Sequence, residues 1–324
     1  MYFKSLSDLT KDIHGWIPTI EGRYDCVVGV PRSGMLVANI VALKMNLPLG
    51  DLDGFLKGRL LAMGRRFGDQ SSEEFLKTRR RVLIIDDSIA SGAAMRIARK
   101  QIEESAPQHD LTIAAVYVTP EGCELCDIYA QVIPNPRRFE WNILSSPQIQ
   151  YYQFDLDGVL CVDPTYEEND DGPKYVEFIR NAKPLFIPSH EIGAIVTSRL
   201  ERYRADTEAW LERYDVQYGE LLMLDLASKE ERIRTQAAPK FKAKTYRQSG
   251  ADLFIESDAK QAVEIARLSG KFVYAVDEAT IYGPNAISSV LERQKITFRK
   301  KIRMNVGRVR RLLGRLKSKF GRSA

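Results

Sequence analysis

The pattern of apolar and polar positions divides most of the chain into short apolar runs and amphipathic segments. Residues 5–17 have apolar side chains at helical spacing, whereas residues 24–30 and 81–85 are mostly apolar runs, too short for free-standing helices. Runs of this length are typical of parallel strands that are buried on both faces. Helical segments follow both runs, near residues 35–45 and 92–105. The alternation therefore predicts an α/β fold built on parallel sheets.

The turn after residues 81–85 is the first candidate site. The run ends in Asp86 and Asp87, small residues follow, and an amphipathic helix begins near Gly92. Backbone N–H groups at such a turn suit a phosphate, and the paired carboxylates suit ribose hydroxyls or a Mg²⁺ ion. A similar strand-to-helix turn occurs earlier in the chain, where Arg32 and Ser33 supply donors. Together, the two turns predict a site for a phosphorylated sugar.

These two turns resemble the binding loops of type I phosphoribosyltransferases, whose donor is phosphoribosyl pyrophosphate (PRPP). The resemblance implies that Asp86 and Asp87 hold the ribose 2′- and 3′-hydroxyls. The residues that would wrap the 5′-phosphate are Ser88, Ile89, Ala90, Ser91, Gly92, Ala93 and Ala94. The residues that would bind pyrophosphate are Pro31, Arg32, Ser33 and Gly34. The family's usual Thr-Gly-x-Thr ending is here Ser-Gly-Ala-Ala, so phosphate binding must depend more on backbone amides.

Two further segments correspond to variable parts of that family. Residues 50–80 are polar and basic and correspond to the mobile loop that closes over the reaction, although a solvated surface segment explains them nearly as well. Residues 120–143 contain Arg137, Arg138 and Trp141 and correspond to the hood above the acceptor. The Cys123-x-x-Cys126 pair does not favour zinc, because no second ligand pair accompanies it.

A second candidate site begins where the apolar residues 150–154 end in Asp155-x-Asp157-Gly158. This motif resembles that of the haloacid dehalogenase (HAD) superfamily, most of whose members are Mg²⁺-dependent phosphatases. The resemblance implies that Asp155 forms an aspartyl-phosphate and that Asp157 protonates the leaving oxygen and then activates water. Thr197, after a second apolar run, would donate a hydrogen bond to the phosphoryl group.

The remaining parts of the second site follow in the order that the superfamily shows. A lysine should neutralise the phosphorylated aspartate; we favour Lys242 over its neighbours Lys240 and Lys244. The acidic residues assigned to Mg²⁺ are Asp155, Asp157, Glu256 and Asp258. The short separation between Asp157 and the second strand predicts a small cap and an open site.

The sequence thus predicts two doubly wound α/β domains, a phosphoribosyltransferase over residues 1–147 and a HAD phosphatase over 148–282, and a tail over 283–324. Residues 293–322 contain thirteen Lys and Arg and no acid, so the net charge of +5 leaves −8 for the rest of the chain. An apolar face runs through the tail: Ile302, Val306, Val309, Leu313, Leu316 and Phe320. We expect this basic amphipathic helix to bind an anionic membrane surface rather than nucleic acid or its own body.

Composition places the chain among soluble proteins, with 44% apolar and 28% charged residues. Its four cysteines are scattered, which favours a reducing cytoplasm over a disulfide framework. Neither a signal peptide nor a membrane-spanning run is evident in the sequence. We therefore expect a cytoplasmic protein bound peripherally to the inner face of the membrane.

The combination of the two predicted activities indicates the function. Transfer from PRPP followed by removal of the 5-phosphate leaves a plain ribofuranosyl group. In this combination, the chain resembles the fused phosphoribosyltransferase–phosphatases of bacterial polysaccharide assembly, which implies ribofuranosyl transfer in glycan synthesis. The expected substrates are PRPP and a sugar or lipid-linked glycan acceptor, with Mg²⁺ in both domains and inversion to a β-riboside. The alternatives are a nucleobase phosphoribosyltransferase fused to a nucleotidase and a PRPP-sensing regulator. A second copy of the chain, in a homodimer, is a further candidate partner.

Overall fold

A computed structural model describes residues 1–90, 92–105 and 108–285. The chain divides into two compact units, Met1–Ile143 and the residues from Leu144 onward. The strands of the first unit are β1 (Tyr2–Lys4), β2 (Cys26–Gly29), β3 (Leu49–Asp51), β4 (Arg81–Ile89), β5 (Asp110–Val118), β6 (Ile128–Val132) and β7 (Arg137–Phe139). Its helices are α1 (Leu6–Ile20), α2 (Ser33–Met45), α3 (Leu52–Leu56), α4 (Ser72–Leu76) and α5 (Ala93–Ser105).

The first unit contains a five-stranded parallel sheet in the order β3-β2-β4-β5-β6. Its side chains alternate between two cores. Val82 and Ile84 of β4 lie in one core, and Leu83 and Ile85 lie in the other, which also contains the buried residues of α1 and α2. Because both faces of the strand are buried, its side chains are apolar at successive positions, which explains the continuous apolar runs in the sequence. The predicted parallel α/β fold is confirmed.

The sheet order brings the two predicted turns of the first unit together. Strands β2 and β4 are hydrogen-bonded neighbours, with Val28 opposite Ile84. Because parallel neighbours end at the same edge of a sheet, the segments that follow β2 and β4 meet there. The short parallel pair of β1 and β7 forms a separate two-stranded sheet.

The second unit is also built from alternating strands and helices. Its strands are β8 (Tyr152–Phe154), β9 (Ile192–Leu200), β10 (Tyr218–Leu224), β11 (Leu253–Glu256), β12 (Val273–Ala275) and β13 (Thr280–Tyr282). Its helices are α6 (Pro173–Asn181), α7 (Arg204–Arg213), α8 (Lys229–Thr235), α9 (Ala237–Gln248) and α10 (Ala259–Ser269). The sheet order is β10-β9-β8-β11-β12-β13, and only β13 pairs in the antiparallel direction.

The order of this second sheet brings together residues from the carboxyl-terminal parts of three neighbouring strands. Strand β8 lies between β9 and β11, with Phe154 opposite Ile195 and Ile255, so the next residues of all three segments lie near one another. Helices α9 and α10 pack on one face, where Tyr246 and Ile265 are fully buried. Among the described residues, no helix has the length and apolar character needed to cross a membrane. The tail beyond residue 285 lies outside the described residues.

Candidate active sites

The two neighbouring carboxylates of the first unit have different surroundings. Strand β4 continues to Ile89, beyond the acidic pair, so Asp86, Asp87 and Ser88 are strand residues and not part of a loop. Asp87 is only 3% exposed, and it accepts hydrogen bonds from Ser33 Oγ and Trp141 Nε1, both at 2.7 Å. Its side chain therefore contacts both the α2 turn and the hood segment.

Asp86 is half-buried beside Asp87. Burial, followed by the charge of Asp87 and a hydrogen bond with it, raises the pKa of Asp86 to about 8. The Asp87 backbone N–H donates to Asp86 Oδ1 at 2.8 Å, which partly opposes this rise. Asp86 consequently carries a proton over much of the neutral pH range.

The turn before α2 approaches the acidic pair closely. A Cβ atom at Gly34 would lie 2.7 Å from the Ile85 carbonyl oxygen and 2.9 Å from Asp86 Oδ1, so this position requires glycine. Ser33 is half-buried, whereas Pro31 and Arg32 are exposed. The structure thus places Ser33 and Gly34 of the predicted pyrophosphate turn against the acidic pair of β4, and Pro31 and Arg32 precede them on the surface.

The predicted phosphate-binding segment spans the end of β4 and the start of α5. Ser88 and Ile89 belong to β4, Ala90 follows it, and α5 begins at Ala93 and continues through Ala94. Gly92 has a φ of +66°, a left-handed conformation that favours glycine just before a helix. Ser91 lies outside the described residues. The strand-to-helix turn is therefore present, and the start of α5 lies within the predicted phosphate-binding segment.

In the second unit, one lysine joins two carboxylates. Lys242 Nζ lies 2.7 Å from Asp155 Oδ2 and 2.7 Å from Glu256 Oε2. Asp155, Glu256 and Lys242 are all at most 5% exposed. Of the three candidate lysines, Lys240 and Lys244 are exposed, and Lys240 donates to a backbone carbonyl instead.

The charges of this buried trio are interdependent. Burial disfavours the charge of Lys242, but Asp155 and Glu256 outweigh that effect and raise its pKa. Burial likewise raises the pKa of Asp155, and Lys242 opposes the rise. Lys242 therefore lies where its ammonium group can compensate the charge of Asp155 as a nucleophile.

Thr197 and Asp157 complete the constellation. Thr197 is fully buried on β9, next to β8, which Asp155 follows, and its Oγ1 accepts a hydrogen bond of 3.2 Å from the Arg199 N–H. Asp157 forms an ion pair with the fully buried Arg199, whose Nη2 lies 2.6 Å from Asp157 Oδ1. A cavity of about 260 Å³ is lined by residues from these strands and from the helices beside them: Asp155, Asp157, Ser198, Arg232, Lys242 and Ser257.

Sequence reasoning gave no role to Arg199 or to Arg232. Arg199 stands two residues after Thr197 on one strand, so both side chains point to the same face; this spacing was the available signal. Arg232 lies on α8 and donates to the Ser198 carbonyl at 2.8 Å, a contact that no local pattern indicates.

The four acids assigned to Mg²⁺ are already engaged by protein groups. Lys242 pairs with Asp155 and Glu256, and Arg199 pairs with Asp157. Asp258 accepts a 2.7 Å hydrogen bond from a backbone N–H at the start of α10. Among the described residues, no three His, Cys, Asp or Glu side chains form a group that could hold a metal ion. These carboxylates, as they are paired here, do not fit a preformed metal centre.

The first unit is similar to known proteins. The model of the phosphoribosyl transferase domain family matches residues 3–145. Among solved structures, the chain is similar to the xanthine-guanine-hypoxanthine phosphoribosyltransferase of Helicobacter pylori, with 15% identity and a TM-score of 0.33 over 44% of this chain and 93% of that one. It is also similar to a purine phosphoribosyltransferase of Pyrococcus horikoshii, with 19% identity and a TM-score of 0.32 over 43% and 92% of the two chains.

A search of curated proteins found no match for the chain. The family model nevertheless covers almost all of the first unit, including both turns and the segment that contains Trp141. Phosphoribosyltransferases use PRPP as the donor, typically with Mg²⁺. Residues 3–145 of this chain therefore form a type I phosphoribosyltransferase domain.

Proposed function

We propose that this chain is a bifunctional enzyme that transfers a 5-phosphoribosyl group from PRPP and then removes its 5-phosphate. The observation that carries the second activity is the buried Lys242, which bridges Asp155 and Glu256 beside Thr197 at the end of parallel strands. This arrangement supports a HAD-type phosphatase over residues 148–282. It lies on the same chain as the phosphoribosyltransferase domain, which supplies the first activity.

In the first step, the acceptor attacks the anomeric carbon of PRPP and pyrophosphate leaves. Asp86 and Asp87 bind the ribose hydroxyls, and the turn of Arg32 and Ser33 binds the departing pyrophosphate. Arg32 is exposed and free to reach a ligand at this edge of the sheet. Its cationic donors stabilise the negative charge that develops on the leaving group. Inversion at the α-linked carbon gives a β-riboside.

In the second step, Asp155 attacks the phosphorus of the 5-phosphate. A bond from Asp155 to phosphorus forms, the bond from phosphorus to the sugar oxygen breaks, and that oxygen takes a proton from Asp157. Water then hydrolyses the aspartyl-phosphate and restores Asp155. Thr197 donates a hydrogen bond to the phosphoryl group, and Lys242 compensates its charge.

The chemistry of the product favours glycan synthesis. Salvage of nucleotides requires that the phosphate be kept, whereas a ribofuranose-containing glycan requires that it be removed. We therefore assign a sugar acceptor, in lipid-linked form, and a peripheral position on the inner face of the membrane. The thirteen uncompensated cations of residues 293–322, which lie outside the described residues, support this position.

A second candidate acceptor is a nucleobase, which would make the chain a nucleoside-forming enzyme. One observation favours it: Tyr117, Phe139 and Trp141 form an aromatic stack, and Trp141 at its end contacts Asp87. Aromatic faces of this kind also accept the flat bases of nucleotides. Turnover of PRPP with purines or pyrimidines, but not with sugars, would establish this alternative.

The proposal is tested with the Asp155→Asn variant, which keeps the shape of the side chain but loses the anionic nucleophile. Incubated with PRPP, Mg²⁺ and a panel of lipid-linked sugars, this variant should accumulate a product one phosphate heavier than the wild-type product, as read by mass spectrometry. Adding a separate phosphatase domain with Asp155 intact should convert it to the wild-type product. Formation of the unphosphorylated riboside at the normal rate would refute the two-step scheme.

A second variant tests whether the two activities depend on separate sites. Replacing both Asp86 and Asp87 with Ala should abolish transfer from PRPP but leave the release of phosphate from a premade phosphoribosyl product unchanged. Loss of both activities together would contradict two independent sites, provided that the variant melts like the wild type.

A further inference from the structure

Asp87 is held at both of its carboxylate oxygens by side chains from distant segments. Ser33 Oγ, at the start of α2, donates to Oδ1 at 2.7 Å, and Trp141 Nε1, in the hood segment, donates to Oδ2 at 2.7 Å. Since Asp87 is only 3% exposed, these two donors replace the water that the carboxylate loses on folding. The acceptor hood is thereby tied directly to the predicted ribose-binding carboxylate.

The Trp141 ring is itself fixed by a stack of aromatic side chains. It lies 4.7 Å from the Phe139 ring at an interplanar angle of 16°, and Phe139 lies 5.4 Å from Tyr117 at 18°. Tyr117 is anchored at the far end, because its hydroxyl donates to Asp12 Oδ2 at 2.7 Å. A ring held on one face in this way keeps its N–H directed at Asp87.

Ordinary core packing does not account for this contact. Trp210, the fully buried tryptophan of the second unit, satisfies its N–H with the backbone carbonyl of Ala182 at 2.8 Å. Trp141 is only half-buried, yet its N–H is directed at a buried carboxylate in the predicted donor site. Hydrogen bonds to an ionised group are stronger and more directional than those to a neutral carbonyl.

We propose that Trp141 is a positioning residue for PRPP. With Ser33, it fixes both oxygens of Asp87 while each oxygen keeps a second lone pair, and these lone pairs are directed at the ribose hydroxyls. This inference rests on the proposed role of Asp87 in PRPP binding. It also predicts that the donor site and the acceptor hood respond to each other, because Trp141 belongs to the hood and contacts the donor carboxylate.

The test compares Trp141→Phe with Trp16→Phe in the full chain. Phenylalanine keeps the stack but removes the N–H, so the Kd for PRPP, measured by calorimetry with Mg²⁺, should rise roughly tenfold. The kcat at saturating PRPP should change much less, because the carboxylate is only less well oriented before binding. Trp16 lies in the α1 core, and its substitution should leave the Kd unchanged.

A second measurement keeps the indole in place and observes Trp141 in the wild-type protein. The chain has three tryptophans, and 5-fluorotryptophan labelling should give three ¹⁹F resonances, which Trp→Phe variants assign. Saturating PRPP should shift the Trp141 resonance, whereas inorganic phosphate should not.

The outcomes separate this inference from the proposed function. Wild-type protein that binds PRPP while Trp141→Phe keeps the same Kd, or while the Trp141 resonance stays in place, would overturn the positioning role. Wild-type protein that fails to bind PRPP at all would overturn the proposed function instead.

Discussion

Arg199 Nη2 lies 2.6 Å from Asp157 Oδ1, and Arg199 Nε lies 3.1 Å from Asp157 Oδ2, so the guanidinium binds both carboxylate oxygens. Arg199 has no solvent exposure, and its Nη2 also contacts Cys161 Sγ at 3.3 Å. Arg199 therefore fixes the orientation of Asp157, the proposed acid–base residue of the phosphatase. To protonate a leaving oxygen, Asp157 must carry the proton on the side of a carboxyl oxygen that faces away from Arg199, or turn away from Arg199.

Replacing Arg199 with Met should lower the free energy of unfolding by about 3 kcal/mol, because removing one partner of a buried ion pair leaves the other charge uncompensated. Arg199→Lys should lose less, since lysine keeps the charge but cannot form the two-pronged contact. Urea denaturation measures both.

The matched control for this prediction is Arg267→Met. Arg267 forms an exposed ion pair with Glu264 within one helix, and because solvent screens such a pair, its loss should change the free energy of unfolding far less than the loss of Arg199. Equal free energies of unfolding for the Arg199→Met and Arg267→Met variants would show that the buried ion pair stabilises the fold no more than the exposed one.

Lys242 and Lys244 offer a comparison within a single helix. Lys242→Met leaves Asp155 and Glu256 facing each other without a cation, so phosphatase activity should be lost and the unfolding free energy should fall by about 3 kcal/mol. Lys244 is exposed, and Lys244→Met should behave like the wild type in both assays. Retained phosphate release by Lys242→Met would remove Lys242 from the proposed mechanism.

The positions of the helices and strands were largely predictable because the local pattern of apolar and polar residues determines them. The apolar run at 24–30 contains β2 (Cys26–Gly29), and the helical spacing at 5–17 lies almost wholly within α1 (Leu6–Ile20). The end of β4 was not predictable. Hydrogen bonding to β5 continues the strand to Ile89, opposite Val118, although the apolar run stops at Ile85. A partner strand, not the local sequence, sets that boundary.

The candidate sites were predictable in their residue types but not in their contacts. The acidic pairs and the lysine cluster are visible as motifs, and the structure selects Lys242 as the lysine that reaches Asp155. The contact of Trp141 with Asp87 joins residues that are 54 positions apart and requires the tertiary fold. Sequence reasoning therefore identified Trp141 as part of a hood but gave it no partner.

The basic tail supports a prediction that depends only on its charge. Deleting the residues after Gln294 should release the protein from vesicles that contain anionic lipid, because each cation near such a surface contributes about 1 kcal/mol of attraction. Binding of the full chain should weaken as salt is added. Transfer to a soluble acceptor should be unaffected by the deletion. Tight vesicle binding by the truncated protein, or binding that ignores salt, would contradict a membrane role for the tail.

Asp86 should make the stability of the chain depend on pH. Its pKa is raised to about 8 in the folded protein from an ordinary value of 3.8, so between these values the folded state holds more protons than the unfolded state. The stability of the folded state must then fall as pH rises from about 4 to about 8, by up to roughly 1.4 kcal/mol per pH unit. Above about 8 both states are ionised at this position, and its contribution becomes constant.

The Asp86→Asn variant isolates this effect, since the amide has nearly the same shape and does not titrate. Its free energy of unfolding, measured by urea denaturation between pH 5 and 8, should decline less steeply than that of the wild type, and the difference between the two should grow with pH. Asp53→Asn, at an exposed position, should follow the wild-type curve. Parallel curves for the wild type and Asp86→Asn would show that burial beside Asp87 does not raise the pKa of Asp86.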